Sequence, residues 1–117
     1  MDKKSFGKAA EDKAASFLEK KGYKILNRNF CSKFGEIDII AKDKNTLVFV
    51  EVRSKSYSSF GNPEETVNFI KVKKILKTAQ FYILKKNPDF KEIRFDIISI
   101  LHNNISHIKN AFDMDFE

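Results

Sequence analysis

Three carboxylates and one guanidinium make the clearest chemical pattern in the chain. They lie in Gly35-Glu36-Ile37-Asp38-Ile39-Ile40-Ala41 and Leu47-Val48-Phe49-Val50-Glu51-Val52-Arg53. Both segments read as strands, joined by a tight polar turn at Lys44-Asn45. With those two residues as the loop, Ile40 faces Phe49, Asp38 faces Glu51 and Glu36 faces Arg53. Side chains alternate along a strand, so these six are expected on one face, with Ile37, Ile39, Val48, Val50 and Val52 on the other. Two carboxylates placed opposite each other repel, and partial burial strengthens the repulsion. A divalent cation between them removes that cost. Carboxylate oxygens are hard ligands suited to Mg²⁺, Mn²⁺ or Ca²⁺, and Mg²⁺ completes its shell with water and phosphate oxygens. Arg53, with Lys55 two positions further along the same face, would set positive charge beside the metal, where it can hold a phosphate. The same residues also allow a plainer arrangement, in which Glu36 and Asp38 form ordinary surface ion pairs with Arg53.

Glu11 joins the candidates because it sits at the edge of an apolar stripe on the first predicted helix. From there it reaches either a cleft between helix and sheet or a neighbouring lysine. The positive charge is concentrated elsewhere. The chain carries 22 Lys+Arg against 16 Asp+Glu, a net charge of +6. Between Thr66 and Pro88 stand six lysines, Lys71, Lys73, Lys74, Lys77, Lys85 and Lys86, and no acid. Helical spacing places Lys71, Lys73, Lys74, Lys77 and Lys85 opposite an apolar stripe, with Phe81 on the basic side. Such a face suits a polyanion, most often nucleic acid, or is simply solvated.

The elements that must position these groups follow from periodicity. Residues 4–21 read as a helix, with Phe6, Ala10, Ala14, Phe17 and Leu18 on one stripe and Gly22 where a helix-ending glycine belongs. Residues 23–30, 36–42 and 46–53 read as strands, and 54–62 as a loop. Asn62-Pro63-Glu64-Glu65 has the form of a helix start. That helix is expected to run to about Lys86, on a stripe of Val72, Ile75, Leu76, Ala79, Tyr82 and Ile83, and to stop at Asn87-Pro88. Residues 93–101 and 105–111 read as a last strand pair with a turn near Asn103-Asn104. The expected order is αβββαββ, a mixed sheet flanked by helices within a single domain spanning 1–117.

Composition removes several classes. At 42% apolar, with 12 Phe, the chain is too hydrophobic for a disordered tail. It has no apolar run of the about 20 residues needed to cross a bilayer, and no signal-peptide apolar region is seen. The single cysteine, Cys31, forms neither an internal disulfide nor a zinc site alone. His102 and His107, five apart in the last strand pair, are expected on opposite faces and share no metal. A cytoplasmic protein without membrane contact is the expectation.

The chain also resembles a known family. Gly7-Lys8-Ala9-Ala10-Glu11 with Ala14, Gly22-Tyr23, Asn29, Gly35-Glu36-Ile37-Asp38, Phe49-Val50-Glu51-Val52-Arg53, Lys71 with Ala79, and Arg94-Phe95-Asp96 occur in the order seen in the YraN-type proteins, an uncharacterised bacterial family. That family is similar to the Holliday junction resolvases of the PD-(D/E)XK superfamily. The resemblance implies a restriction-endonuclease-like α/β fold, a mixed central sheet flanked by helices, and a Mg²⁺- or Mn²⁺-dependent nuclease site. It implies that Asp38 and Glu51 bind metal, that Arg53 stands at the superfamily's lysine position, and that Glu11 matches a helix-borne glutamate. Beside the resemblance, a nuclease reading of the residues has Glu36 orient a ligand or water and Lys55 supply an amine, and the basic face of Lys71, Lys73, Lys74 and Lys77 grip nucleic acid. A DNA substrate, branched or met in repair, and a homodimer are the partners the resemblance points to. Two positions depart from the pattern. Ile37 replaces the proline of the superfamily name, and Arg53 replaces a lysine. Arginine holds phosphate charge but does not act as a base. The sequence therefore carries three functional readings: a metal-dependent DNA endonuclease, a nucleic-acid-binding module that does not cut, and a protein-interaction adaptor.

Overall fold

The computed structural model describes residues 3–55 and 69–112, with side chains from residue 7 onward and without that of Lys55. The expected helix start at Asn62-Pro63-Glu64-Glu65 and most of the 54–62 loop lie outside the described residues, as does the acidic end from Asp113. Helix α1 (Lys3–Lys20) is followed by strands β1 (Lys24–Ser32), β2 (Gly35–Asp43) and β3 (Thr46–Lys55). Helix α2 (Phe69–Lys86) and strands β4 (Glu92–Leu101) and β5 (Asn104–Phe112) complete the described chain.

The five strands form one sheet in the order β1-β2-β3-β4-β5. All neighbours are antiparallel except β3 and β4, which are parallel. The sheet is therefore mixed. It has an apolar layer on each face. Ile39, Ala41, Val48, Val50, Ile98 and Ile100 pack with Ala10, Ala14, Ala15 and Leu18 of α1. Ile40, Leu47, Phe49 and Phe95 pack with Val72, Ile75, Leu76, Ala79 and Tyr82 of α2. The helices cover opposite faces, which is why β2 and β3 read as nearly continuous apolar runs. Phe81, which the helical pattern puts among the lysines, is half-buried against the α2-side core, its ring 6.2 Å from that of Phe30.

The helix ends follow their sequence signals. The amide of Tyr23 donates to the Leu18 carbonyl and that of Gly22 to the Glu19 carbonyl, both at 3.0 Å, which is the Schellman closure. Gly22 sits at φ 95, where a Cβ is strained. Gly22→Ala is expected to cost about 1 kcal/mol, read as a lower denaturant midpoint with an unchanged slope. Asn87, at φ 47, closes α2 through its amide on the Ile83 carbonyl just before Pro88. The β4–β5 turn lies one residue earlier than the sequence suggests. His102 and Asn103 form it, at φ 50 and 67, and Leu101 pairs with Asn104. Positive φ at both central residues matches the twist of the flanking strands, and asparagine tolerates it best. His102 is thus an exposed turn residue and not part of a strand.

A buried polar network fastens the end of α1 to β4 and β5. Arg94 grips the Asp96 carboxylate with both ends of its fork, at 2.9 and 3.0 Å, and donates to the Tyr23 hydroxyl at 2.6 Å. His107 Nε2 lies 2.7 Å from Asp96 Oδ2, and the Asn110 amide donates to Oδ1 at 3.0 Å. Lys21 Nζ is 2.9 Å from His107 Nδ1. An ammonium only donates, so Nδ1 accepts and Nε2–H faces Asp96. Asp96 has no solvent exposure. Burial alone would raise its pKa, but the bonds from His107, Arg94 and the Asn110 amide together hold it below the ordinary carboxylate value. Two surface contacts brace the same helix: Arg28 of β1 donates to Asp12 at 2.7 Å, and Lys13 to Asn103 at 2.8 Å. No helix among the described residues is long and apolar enough to cross a membrane.

Candidate metal and phosphate site

The hairpin register expected from a Lys44-Asn45 loop holds from Asp43↔Thr46 to Ile39↔Val50, with Ile40 opposite Phe49. No pair follows Ile39↔Val50. Beyond it β2 stays with β1, through Ile37↔Phe30 and Glu36↔Cys31, while β3 stays with β4, through Glu51↔Ile97 and Arg53↔Ser99. The sheet forks at this point, and the acids line the fork.

The fork changes which residues share a face. Ile37 packs with the α2-side core, although Ile39 packs with the α1-side core. Its neighbours Glu36 and Asp38 accordingly reach towards α1, where carboxylate oxygens of Glu11, Glu36 and Asp38 lie within 4.8 Å of one another. Glu51, between Val50 and Val52, which both pack towards α1, instead meets Lys71 of α2 at 2.7 Å. The expected single face bearing Glu36, Asp38, Glu51 and Arg53 is therefore split, and Glu36 does not stand opposite Arg53. The break lies in β2, between Ile37 and Ile39, while β3 stays paired with β4 and keeps its alternation, Val50 and Val52 towards α1 and Glu51 towards α2.

Asp38 occupies the fork itself. Its Oδ2 accepts the Val52 amide at 2.8 Å, supplying the bond that β2 no longer gives to β3. Burial pushes its pKa up to about 7, with Glu51, Glu11 and Glu36 adding to the rise against the Val52 bond. Glu51 is buried, and both nearby cations address its Oε1, Lys71 Nζ at 2.7 Å and Arg53 Nε at 3.9 Å. Lys71 is half-buried here. It does not stand on the outer face with Lys73, Lys74 and Lys77, which are exposed. The side chain of Lys55 lies outside the described residues.

Cys31 belongs to this neighbourhood. It pairs across the strands with Glu36, and its thiol donates to Glu36 Oε2 at 3.2 Å, a bond that pushes the thiol pKa up. Sequence patterns gave no reason to place it there. The only signal was the β1–β2 register, which needs the Lys33-Phe34 turn to be located first.

The three ligand atoms that cluster, from Glu11, Glu36 and Asp38, are all carboxylate oxygens, which fit Mg²⁺ or Mn²⁺ better than a soft metal. The arrangement gathers carboxylates on the α1 side of the fork and cations around Glu51 on the α2 side. The cluster of Glu11, Glu36 and Asp38 can hold a divalent ion.

A family model described as "Uncharacterised protein family UPF0102" matches residues 10–100. The chain belongs to this family. Its UPF0102 relatives include a Persephonella marina protein, 61% identical over 94% of this chain and 95% of its own length. A Sulfurihydrogenibium protein is 46% identical over 98% of this chain and 100% of its own. One from Caldanaerobacter subterraneus is 47% identical over 96% and 98%. The UPF0102 match contains every acid of the fork, with Arg53 and the α2 lysines.

Proposed function

We propose that this UPF0102 protein is a Mg²⁺- or Mn²⁺-dependent endonuclease that hydrolyses phosphodiester bonds in DNA, on a restriction-endonuclease-like fold of the PD-(D/E)XK type. The convergence of Glu11, Glu36 and Asp38 at the fork carries this reading. Three carboxylates this close repel one another, and a hard cation relieves that repulsion.

Asp38 and Glu11 would hold the ion, with Glu36 contributing directly or by orienting a ligand. Glu51, anchored by Lys71, adds negative potential from the other side of the fork and is a further candidate ligand. When bound, the ion supplies Lewis acidity towards the scissile phosphate. The rest falls to the chain's own groups. Arg53 and Lys71 bring positive charge to the fork and hold the phosphate. Arg53 remains charged throughout and exchanges no proton. Asp38 keeps its orientation through the Val52 amide, so the carboxylate is aimed before substrate arrives. Two copies of the chain would supply the two cuts that a four-way junction needs.

The test is cleavage of labelled four-way junction, duplex and single-stranded DNA in Mg²⁺, Mn²⁺ or EDTA. Cutting with either metal and none in EDTA is expected. Folded protein that cuts nothing in any lane overturns the reading. It would favour a binding module that does not cut, for which Arg53 in place of a proton-exchanging lysine is the specific argument.

A further inference from the structure

The β1–β2 turn is built onto α2. The Ser32 hydroxyl accepts the Phe34 amide at 3.0 Å and lies 3.1 Å from the Thr78 hydroxyl, which itself donates to the Lys74 carbonyl at 2.8 Å. Gly35 allows the approach, since a Cβ there would come within 3.3 Å of the Lys74 Cβ. The contact brings Lys33 of the turn and Lys77 of the helix to one aromatic ring, their ammonium groups 5.3 and 5.7 Å from the Phe34 centroid. Lys73 adds a further ammonium, 4.6 Å from the Phe69 ring.

Four exposed lysines, Lys33, Lys73, Lys74 and Lys77, thus share one surface. Among the described residues no carboxylate lies within 4.0 Å of any of their ammonium groups, in contrast to Lys71, which meets Glu51. Like charges drawn onto one surface suit a polyanion. The surface is joined to the acid fork through the same two elements. Gly35 of the turn leads directly into Glu36 and Asp38, and on α2 Lys74 lies about one turn and Lys77 nearly two turns beyond Lys71.

We propose that the β1–β2 turn and the outer face of α2 bind the phosphate backbone of duplex DNA, with Lys33 and Lys77, both drawn to Phe34, at the centre of the contact. This deepens the nuclease reading and rests on it for the choice of polyanion. The cation–π contacts bias the two ammonium groups towards one ring, and the elements that carry them also lead to the fork.

Fluorescence anisotropy with a labelled duplex tests this in EDTA, where cutting plays no part, between 50 and 200 mM salt. The wild type is expected to lose affinity steeply with salt. The double variant Lys33→Ala/Lys77→Ala is expected to bind about tenfold or more weakly, with a log–log salt slope shallower by roughly 2. Lys20→Ala/Lys24→Ala, which removes two exposed lysines elsewhere, is expected to keep the wild-type slope. Equal losses in the two double variants, unchanged binding in the first, or no duplex binding by the wild type each overturns the inference. Tighter binding of duplex RNA than of DNA overturns the choice of partner. Wild type that binds through Lys33 and Lys77 but never cuts overturns the proposed activity and leaves this surface standing. Wild type that cuts while Lys33→Ala/Lys77→Ala binds normally does the reverse.

Discussion

Asp38→Asn is expected to abolish cutting and to make the protein more stable. The substitution removes a carboxylate from the fork while keeping an oxygen that accepts the Val52 amide. Loss of a ligand to the ion should lower cleavage by about a hundredfold or more. The stability gain has a separate cause. Asp38 titrates at about 7 in the fold, against an ordinary 3.8, chiefly because it is buried and then because Glu51 and its other acidic neighbours crowd it. The unfolded chain therefore gives up this proton first. As pH rises from about 4 to about 7, the folded state holds the extra proton and loses stability; above about 7 the loss is complete. The asparagine amide carries no such charge at any of these pH values. The variant should match the wild type near pH 4 and exceed it by about 1–3 kcal/mol at pH 8, a rise in Tm of several degrees. Mg²⁺ should raise the Tm of the wild type at pH 8 and leave that of the variant nearly unchanged. Thermal melts at both pH values, with and without Mg²⁺, check all of this. A variant less stable than wild type at pH 8 would make Asp38 a structural carboxylate.

The second large effect lies away from the fork. Asp96→Ala should destabilise the fold by about 3–5 kcal/mol, because His107 Nε2 and the Asn110 amide lose their acceptor and Arg94 keeps Tyr23 and a long 3.5 Å contact to Asp43. A domain of this size would lose roughly 10–20 °C in Tm. Asp96→Asn preserves shape but not charge, so it should fall between the two. The same network holds Tyr23 and Lys21 at the end of α1, the helix that carries Glu11. Denaturant melts of both variants measure the cost, and a loss under about 1 kcal/mol for Asp96→Ala would show that the network does not hold the helix.

Much of the architecture could be read from residue spacing. Alanines and leucine four apart marked α1, Gly22 marked its end, and a two-residue loop set the β2–β3 register as far as Ile39↔Val50. The site was less legible. Alternation along β2 predicts that Ile37 and Ile39 share a face, but the fork puts them in different cores and turns Glu36 and Asp38 towards Glu11. A strand's period says nothing about where it leaves its partner. Lys71 looked like its neighbours on a helical wheel, yet the fork presents a buried Glu51 that draws it inward. Arg94 and Asp96 stood at strand spacing, so an ion pair between them was readable. His107 was not, because its place beside Asp96 depends on the irregular register between Phe95 and Ile97.

The parallel join between β3 and β4 has a further consequence. Each residue of β3 pairs with the one 46 positions later, from Thr46↔Glu92 to Lys55↔Leu101. The other ladders close locally, whereas this one waits for a crossover to be made. On a ribosome adding 5–20 residues per second, β3 emerges roughly 2–9 s before its partner. During that interval Leu47-Val48-Phe49-Val50 forms the raw edge of a three-stranded meander. It is apolar on both faces and open to pairing with another chain. The nascent protein is therefore most prone to aggregate in the window between completing its acids and completing its sheet.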